Sequence, residues 1–168
     1  MLFAIVIVTL LLFGFVIIIG APYVPTLASQ QREALKLLDL EKGQTVLDLG
    51  SGDGRFLREA ARQGYQAVGI EANPLLVLVS LIICLPYRKN VRIIWGDMWH
   101  ANWPKADGIY VFMHTRFMKK LDKKIIQQCS GKNINVVSYA FEIPGKNVVK
   151  KHKGLFLYRY QGLGTRRK

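Results

Sequence analysis

Apolar and polar positions divide the chain into three stretches. From Leu2 to Ile19 every residue is apolar except Thr9 and Gly14, and the first charged side chain is Arg32. A run of about 18 apolar residues, rising about 1.5 Å each, crosses a bilayer core. Residues 1–21 are therefore predicted to be a transmembrane anchor. A cleaved signal peptide needs basic residues before its apolar core and a small-residue cleavage site after it. Here only Met1 comes first, and Gly20-Ala21-Pro22 is a poor cleavage sequence. Residues 22–44 read as a linker and helix. Pro22-Tyr23-Val24-Pro25 is extended, because each proline disfavours helix at the residue before it. Residues 28–40 follow as an amphipathic helix with Ala34, Leu35, Leu37 and Leu38 on its apolar side.

Residues 45–168 alternate between the two periods. Short β-branched runs at 46–49, 67–70, 91–95, 108–113 and 135–139 read as strands, and 55–63, 75–85 and 116–128 as helices. Gly64 stops the first of these helices, while Asn73-Pro74 opens the second with a cap and a proline at the first helical position. The 75–85 helix is almost entirely aliphatic, which predicts burial on most sides, with bilayer contact as the alternative. Two β-like runs, 146–150 and 155–160, flank Lys153-Gly154. Alternating strands and helices predict an α/β fold: a Rossmann-like, mostly parallel sheet with helices on both faces and a C-terminal antiparallel hairpin, preceded by the one transmembrane helix.

Charge adds a location. The 168 residues suit one compact domain plus an appendage and carry 24 Lys and Arg against 11 Asp and Glu, a net charge of +13. Every basic residue follows the apolar run, so the positive-inside rule places a single-pass protein with its domain on the cytoplasmic side, at the inner membrane if the cell is bacterial. Two isolated thiols, Cys84 and Cys129, fit a reducing compartment and match neither a disulfide framework nor a metal site. Basic charge attracts nucleic acid and anionic bilayers alike. With an anchor present the bilayer needs fewer assumptions, and no aromatic-interleaved groove supports nucleic acid as a partner. Lys119, Lys120, Lys123 and Lys124 form a helical stripe, and Lys150, Lys151, Lys153 and Arg166-Arg167-Lys168 continue the charge. A solvated basic face accounts for them equally well.

Candidate chemistry lies at the strand ends, where ligands of open α/β sheets bind. Asp48-Leu49-Gly50-Ser51-Gly52-Asp53-Gly54 joins the first strand to its helix. Its glycines alternate, whereas the dinucleotide fingerprint spaces its last pair one residue wider. Asp48, two places before the first glycine, suits a ligand carrying an amine or positive charge better than a pyrophosphate. The loop therefore points to S-adenosylmethionine as cofactor and to methyl transfer. Gly50, Gly52 and Gly54 bring the backbone to the ligand at positive φ, Ser51 is counted with them as a cofactor-binding residue, and the following helix offers N–H groups to the ligand's carboxylate. Asp48 serves the loop or the ligand's α-ammonium. Glu71, about twenty residues beyond the loop, stands where an acid accepts from ribose hydroxyls. Asp97 is placed for the adenine amino group, with Met98 or Ile70 as apolar walls. Asp53 reads equally as a helix N-terminal acid, and Asp97 after Gly96 as a turn residue.

The segments 46–55 and Gly69-Ile70-Glu71-Ala72-Asn73-Pro74 resemble class I S-adenosylmethionine-dependent methyltransferases. The apolar run, Pro22-Tyr23-Val24-Pro25-Thr26, Gly96-Asp97-Met98-Trp99 and Phe141-Glu142-Ile143-Pro144-Gly145 narrow the resemblance to membrane-anchored lysine methyltransferases acting on the ATP synthase c-subunit and the adenine nucleotide translocase. It implies cofactor contacts at Asp48, Gly50, Glu71 and Asp97, a methyltransferase domain over 45–168, and a protein lysine, in a membrane-embedded substrate, as acceptor. The chain departs from the pattern after the fourth strand, where His114 stands in place of a proline-containing segment and no Asn-Pro-Pro-Tyr motif occurs. His114 and Asp107 are the polar candidates there, each with a structural reading. Transfer from a sulfonium to an amine needs mainly positioning and exclusion of water, so no residue is assigned as catalytic and no metal is expected. Two alternatives stand beside this reading: an RNA methyltransferase using the basic surface, and a non-catalytic cofactor-binding module.

Overall fold

Strands and helices alternate along the computed structural model, which describes residues 28–129 and 131–162. The expected anchor, the Pro22-Tyr23-Val24-Pro25 stretch and the terminal Arg166-Arg167-Lys168 lie outside the described residues. In chain order the elements are α1 (Ala28–Leu38), β1 (Thr45–Leu49), α2 (Arg55–Arg62), β2 (Gln66–Glu71), α3 (Pro74–Ile83), β3 (Val91–Trp95), β4 (Gly108–Phe112), α4 (Thr115–Gln128), β5 (Ile134–Tyr139), β6 (Lys150–His152) and β7 (Leu155–Tyr160). Among the described residues no helix is long and apolar enough to cross a membrane.

The sheet runs β3-β2-β1-β4-β5-β7-β6. Its first five strands are parallel, so the strand order reverses between β1 and β4. The expected hairpin is present as β6 and β7, with the first strand at Lys150–His152 rather than 146–150. β7 also pairs antiparallel with β5, from Ile134↔Tyr160 to Tyr139↔Leu155. Side chains alternate between the two faces, as strand geometry requires. Leu47, Leu49, Ile109, Val111, Val136 and Tyr158 join Met118, Leu121 and Ile125 of α4 on one side. Val46, Ala67, Tyr110, Val137 and Leu157 meet α1 and α2 on the other, through Leu35, Leu38, Phe56 and Leu57. Phe56 stacks on Tyr110 with centroids 4.1 Å apart, pinning α2 to β4.

Helix α3 departs from the expectation of burial. Asn73 caps it, its side chain accepting from the Leu75 N–H at 2.9 Å, and Pro86 in the one-turn 3₁₀ segment Leu85–Tyr87 marks its end. Of its own residues only Ser80 is buried, with Cys84 just beyond. Leu75, Leu78, Leu81, Ile82 and Leu85 are exposed, Ile82 to 73%. The helix lies over β2 and the edge strand β3. No further layer of the described residues covers its outer side.

Candidate functional site

The loop between β1 and α2 meets the carboxyl end of β2, and the end of β3 adjoins β2 on its far side, the Gly96 N–H donating to Glu71 O at 2.9 Å. Gly50, Gly52 and Gly54 hold φ of 81°, 57° and 79°, the left-handed region in which a Cβ is unfavourable. Gly50 and Ser51 donate their N–H groups to the Ile70 carbonyl at 2.9 and 3.1 Å, and Gly54 donates to Ser51 O at 3.0 Å. A Cβ on Gly50 would enter open space, as would one on Gly96 at the end of β3. Gly54 is different. A Cβ there would overlap the Ser80 hydroxyl and crowd Cys84 Sγ, and that thiol donates to Gly54 O at 3.4 Å. Gly54 therefore admits α3 against the loop.

Glu71 acts as a bracket. Its Oε2 accepts from the Gly52 N–H at 2.9 Å and its Oε1 from the Asn73 N–H at 2.8 Å, which leaves each oxygen one further acceptor site. Ser51 is buried, and its hydroxyl has no hydrogen-bond partner among the described residues. It lies against Gly69, where a Cβ would come within 2.5 Å of the Ser51 oxygen. The Asp53 carboxylate makes a 2.7 Å ion pair with Arg55 and accepts from the Arg55 N–H at 3.2 Å. That contact occupies one of the α2 donors that a ligand carboxylate was expected to use.

Asp48 is the electrostatic centre. It is buried on β1 between Gly69 and Tyr110 in register. Burial pushes its carboxyl well above the ordinary aspartate range, and the carboxylates of Glu71 and Asp53 push it the same way. Three acids thus converge in a chain of net charge +13. Asp97 follows β3 with its carboxylate half-exposed: Oδ1 accepts from the Trp99 N–H at 2.8 Å, and Oδ2 meets His100 Nδ1 at 2.6 Å. Met98 and Ile70 are buried in the core, and Met98 O accepts from the Trp103 indole at 2.9 Å.

The polar candidates after β4 have local tasks. His114 caps α4, its Nδ1 accepting from the Arg116 N–H at 3.3 Å. Asp107 accepts from the Thr45 N–H at 2.9 Å and fastens the start of β1. The sequence did not single out Phe112 and Tyr139, the rings at the ends of β4 and β5. Phe112 meets Tyr139 edge-on at 4.9 Å, and His114 lies 5.4 Å from Phe141. Their common signal was position, since each lies at or just after the carboxyl end of β4 or β5. Two lysines of the basic stripe are structural: Lys124 donates to the Trp99 and Ala101 carbonyls at 2.9 and 3.2 Å, and Lys120 sits 4.3 Å over the Trp99 ring.

Known proteins resemble this chain in sequence and fold. The chain is 37% identical over 108 residues to an ATP synthase c-subunit lysine N-methyltransferase of Xenopus laevis, covering 62% of this chain and 46% of that protein. It is 30% identical over 143 residues to a protein-lysine N-methyltransferase of Saccharolobus islandicus (strain REY15A), covering 79% and 86%. An RNA methyltransferase of Salinibacter ruber, solved with S-adenosyl-L-homocysteine, superposes with a TM-score of 0.73 at 28% identity, over 82% of this chain and 92% of that one. The chain spans about half the length of the first curated relatives it matches. Residues 48–150 match the model of the ANTKMT methyltransferase domain. That match opens on Asp48 and takes in the glycine loop, the Glu71 bracket and the Asp97 turn, so the chain belongs to the ANTKMT methyltransferase family.

Proposed function

We propose that this chain binds S-adenosylmethionine and transfers its methyl group to a lysine of a membrane-embedded protein. The observation that carries the cofactor assignment is the buried Asp48 carboxyl, raised in pKa by burial and by the neighbouring carboxylates of Glu71 and Asp53. A cationic ligand relieves that repulsion. The donor set fits: the α-ammonium falls to Asp48, and the remaining acceptor sites of Glu71 face ribose hydroxyls. Gly50, Gly52 and Gly96 line the backbone approach, and Ser51 and Gly54 shape the loop from beneath. Asp97 is assigned to the adenine side, with Met98 behind it.

The cofactor supplies an electrophilic methyl on a sulfonium; the protein's part is to align an amine and keep water out. An amine brought into a desolvated slot loses its proton more readily. Phe112, Tyr139 and Phe141 are the walls assigned to that slot, and aromatic faces also accommodate a methylated ammonium. The names of the relatives from Xenopus laevis and Saccharolobus islandicus support lysine as acceptor. The apolar run from Leu2 to Ile19 supports a single-pass anchor with the domain on the cytoplasmic face, and hence a substrate in the same bilayer.

Incubating the full chain with membranes and methyl-labelled cofactor tests this reading. Label is expected in protein lysine, lost with Asp48→Ala and reduced with Phe112→Ala. Label confined to a ribonuclease-sensitive fraction would favour the RNA reading suggested by the Salinibacter ruber likeness. Cofactor binding without transfer to either fraction would leave a binding module.

A further inference from the structure

Most of the exposed large apolar side chains among the described residues gather on the outer face of α3 and beside it. At about 100° per residue, Leu75, Leu78, Leu81, Ile82 and Leu85 fall within an arc of about 120°, opposite Ser80 and Cys84, which pack on Gly54. Trp95 on edge strand β3 extends the face. It is 69% exposed, with its indole N–H held by Ala72 O at 3.2 Å beside the start of α3. An exposed patch of this kind needs an occupant.

Two features of the chain identify one. The chain that carries the face is basic: no Asp or Glu occurs between Glu71 and Asp97, whereas Arg88, Lys89 and Arg92 are exposed there. Leucine and isoleucine on one face, an interfacial tryptophan and flanking cations are the composition of a surface that lies in a bilayer interface. The second feature is where the chain leaves the domain. Ala28, the first residue of α1, lines the same surface depression as Arg58 and Ile83, at the C-terminal end of α3. Ile19, where the apolar run ends, precedes Ala28 by nine residues, a tether reaching at most about 32 Å. With that run in a bilayer, the α3 side of the domain is held close to the same surface. At ten residues, α3 itself is too short to span.

We infer that the outer face of α3, with Trp95, lies in the headgroup region of an anionic bilayer and fixes the orientation of the domain on it. The inference rests on the membrane placement proposed above, and its test separates the two. The full chain, in a Cys129→Ser background where Cys84 is buried, is reconstituted in vesicles containing phosphatidylglycerol. An environment-sensitive fluorophore is placed in turn at Leu78→Cys, Ile82→Cys, Val149→Cys and Leu12→Cys. Val149 is exposed next to β6, at the opposite edge of the sheet. Labels at 78 and 82 are expected to lose quenching by aqueous iodide and gain quenching by doxyl-labelled lipid, while the label at 149 keeps its iodide quenching.

Iodide quenching at 78 and 82 equal to that at 149 would overturn the inference. Shielding from both quenchers would also overturn it, by showing that a protein covers the face. Lipid quenching at 12 with none at 78 and 82 would refute this inference and leave the anchor standing. No lipid quenching at any of the three would refute both.

Discussion

Glu71 Oε2 accepts the Gly52 N–H at 2.9 Å across 19 residues of sequence. Together with the Ile70 carbonyl, which accepts from the Gly50 and Ser51 N–H groups, that bond ties the glycine loop to the end of β2. Glutamine at position 71 keeps the size but has one acceptor oxygen in place of two. Glu71→Gln therefore leaves either Gly52 or Asn73 without its partner. A loss of about 1 kcal/mol is expected, since removal of a like charge beside Asp48 offsets part of the cost of the unmade bond. Chemical denaturation measures the loss, and calorimetry should show weaker binding of S-adenosylhomocysteine.

Asp48→Asn should stabilise the ligand-free protein while weakening its hold on the cofactor. The folded-state pKa of Asp48 lies above its unfolded value, so the native state binds the proton more tightly. Its contribution is least unfavourable below the ordinary aspartate range and becomes a full penalty as pH rises through the folded-state pKa. The mutant's advantage should grow with pH across that window and vanish toward pH 4 and below. Denaturation midpoints of both proteins over a pH series provide the check. An advantage independent of pH would contradict the assignment.

The two ends of the glycine loop should respond differently to alanine. Gly54→Ala combines positive φ with overlap against Ser80 and Cys84, and should cost about 2–4 kcal/mol. A second change, Ser80→Ala, removes the hydroxyl in the way and should recover part of the loss. Gly50→Ala has space for its methyl, so only the backbone term of about 1–2 kcal/mol remains. Its methyl points into the assigned cofactor space, so binding should fall more than stability. Thermal melts paired with cofactor titrations separate the two.

Much of this was legible in the sequence because strand ends are legible. Once β1, β2 and β3 are placed by their apolar runs, Asp48, Glu71 and Asp97 fall together by topology alone. What Glu71 does with its oxygens was not, because a carboxylate in that place serves a loop amide and a ribose equally well in one dimension. The task of Ser80 was also hidden, although a single hydroxyl in an aliphatic helix is itself a signal of a close contact. Exposure of α3 could not be read from hydropathy. An aliphatic helix has the same composition whether protein or lipid covers it, and only the exposure of Leu78, Leu81 and Ile82 in the fold shows that no protein layer follows among the described residues.

Adjacent lysines of α4 should behave unequally. Lys124 donates to the Trp99 and Ala101 carbonyls, while Lys123 is exposed. Lys124→Met should cost about 1–2 kcal/mol, and hydrogen exchange should report a loosened segment from Trp99 to Trp103. Lys123→Met should be close to neutral. Equal, small effects would mean that the whole stripe is solvated charge.

The contact of Gly54 with Ser80 also sets a height. One side of α3 touches the glycine loop and the other faces outward, so the loop stands off from whatever α3 rests on by one helix diameter, about 10–12 Å. If α3 rests on a bilayer as proposed, it would act as a gauge, favouring amines carried a short way above the headgroups over lysines at the membrane midplane or far out on a soluble domain. Selectivity for the acceptor would then reside partly in elevation, a property that no residue of the pocket encodes.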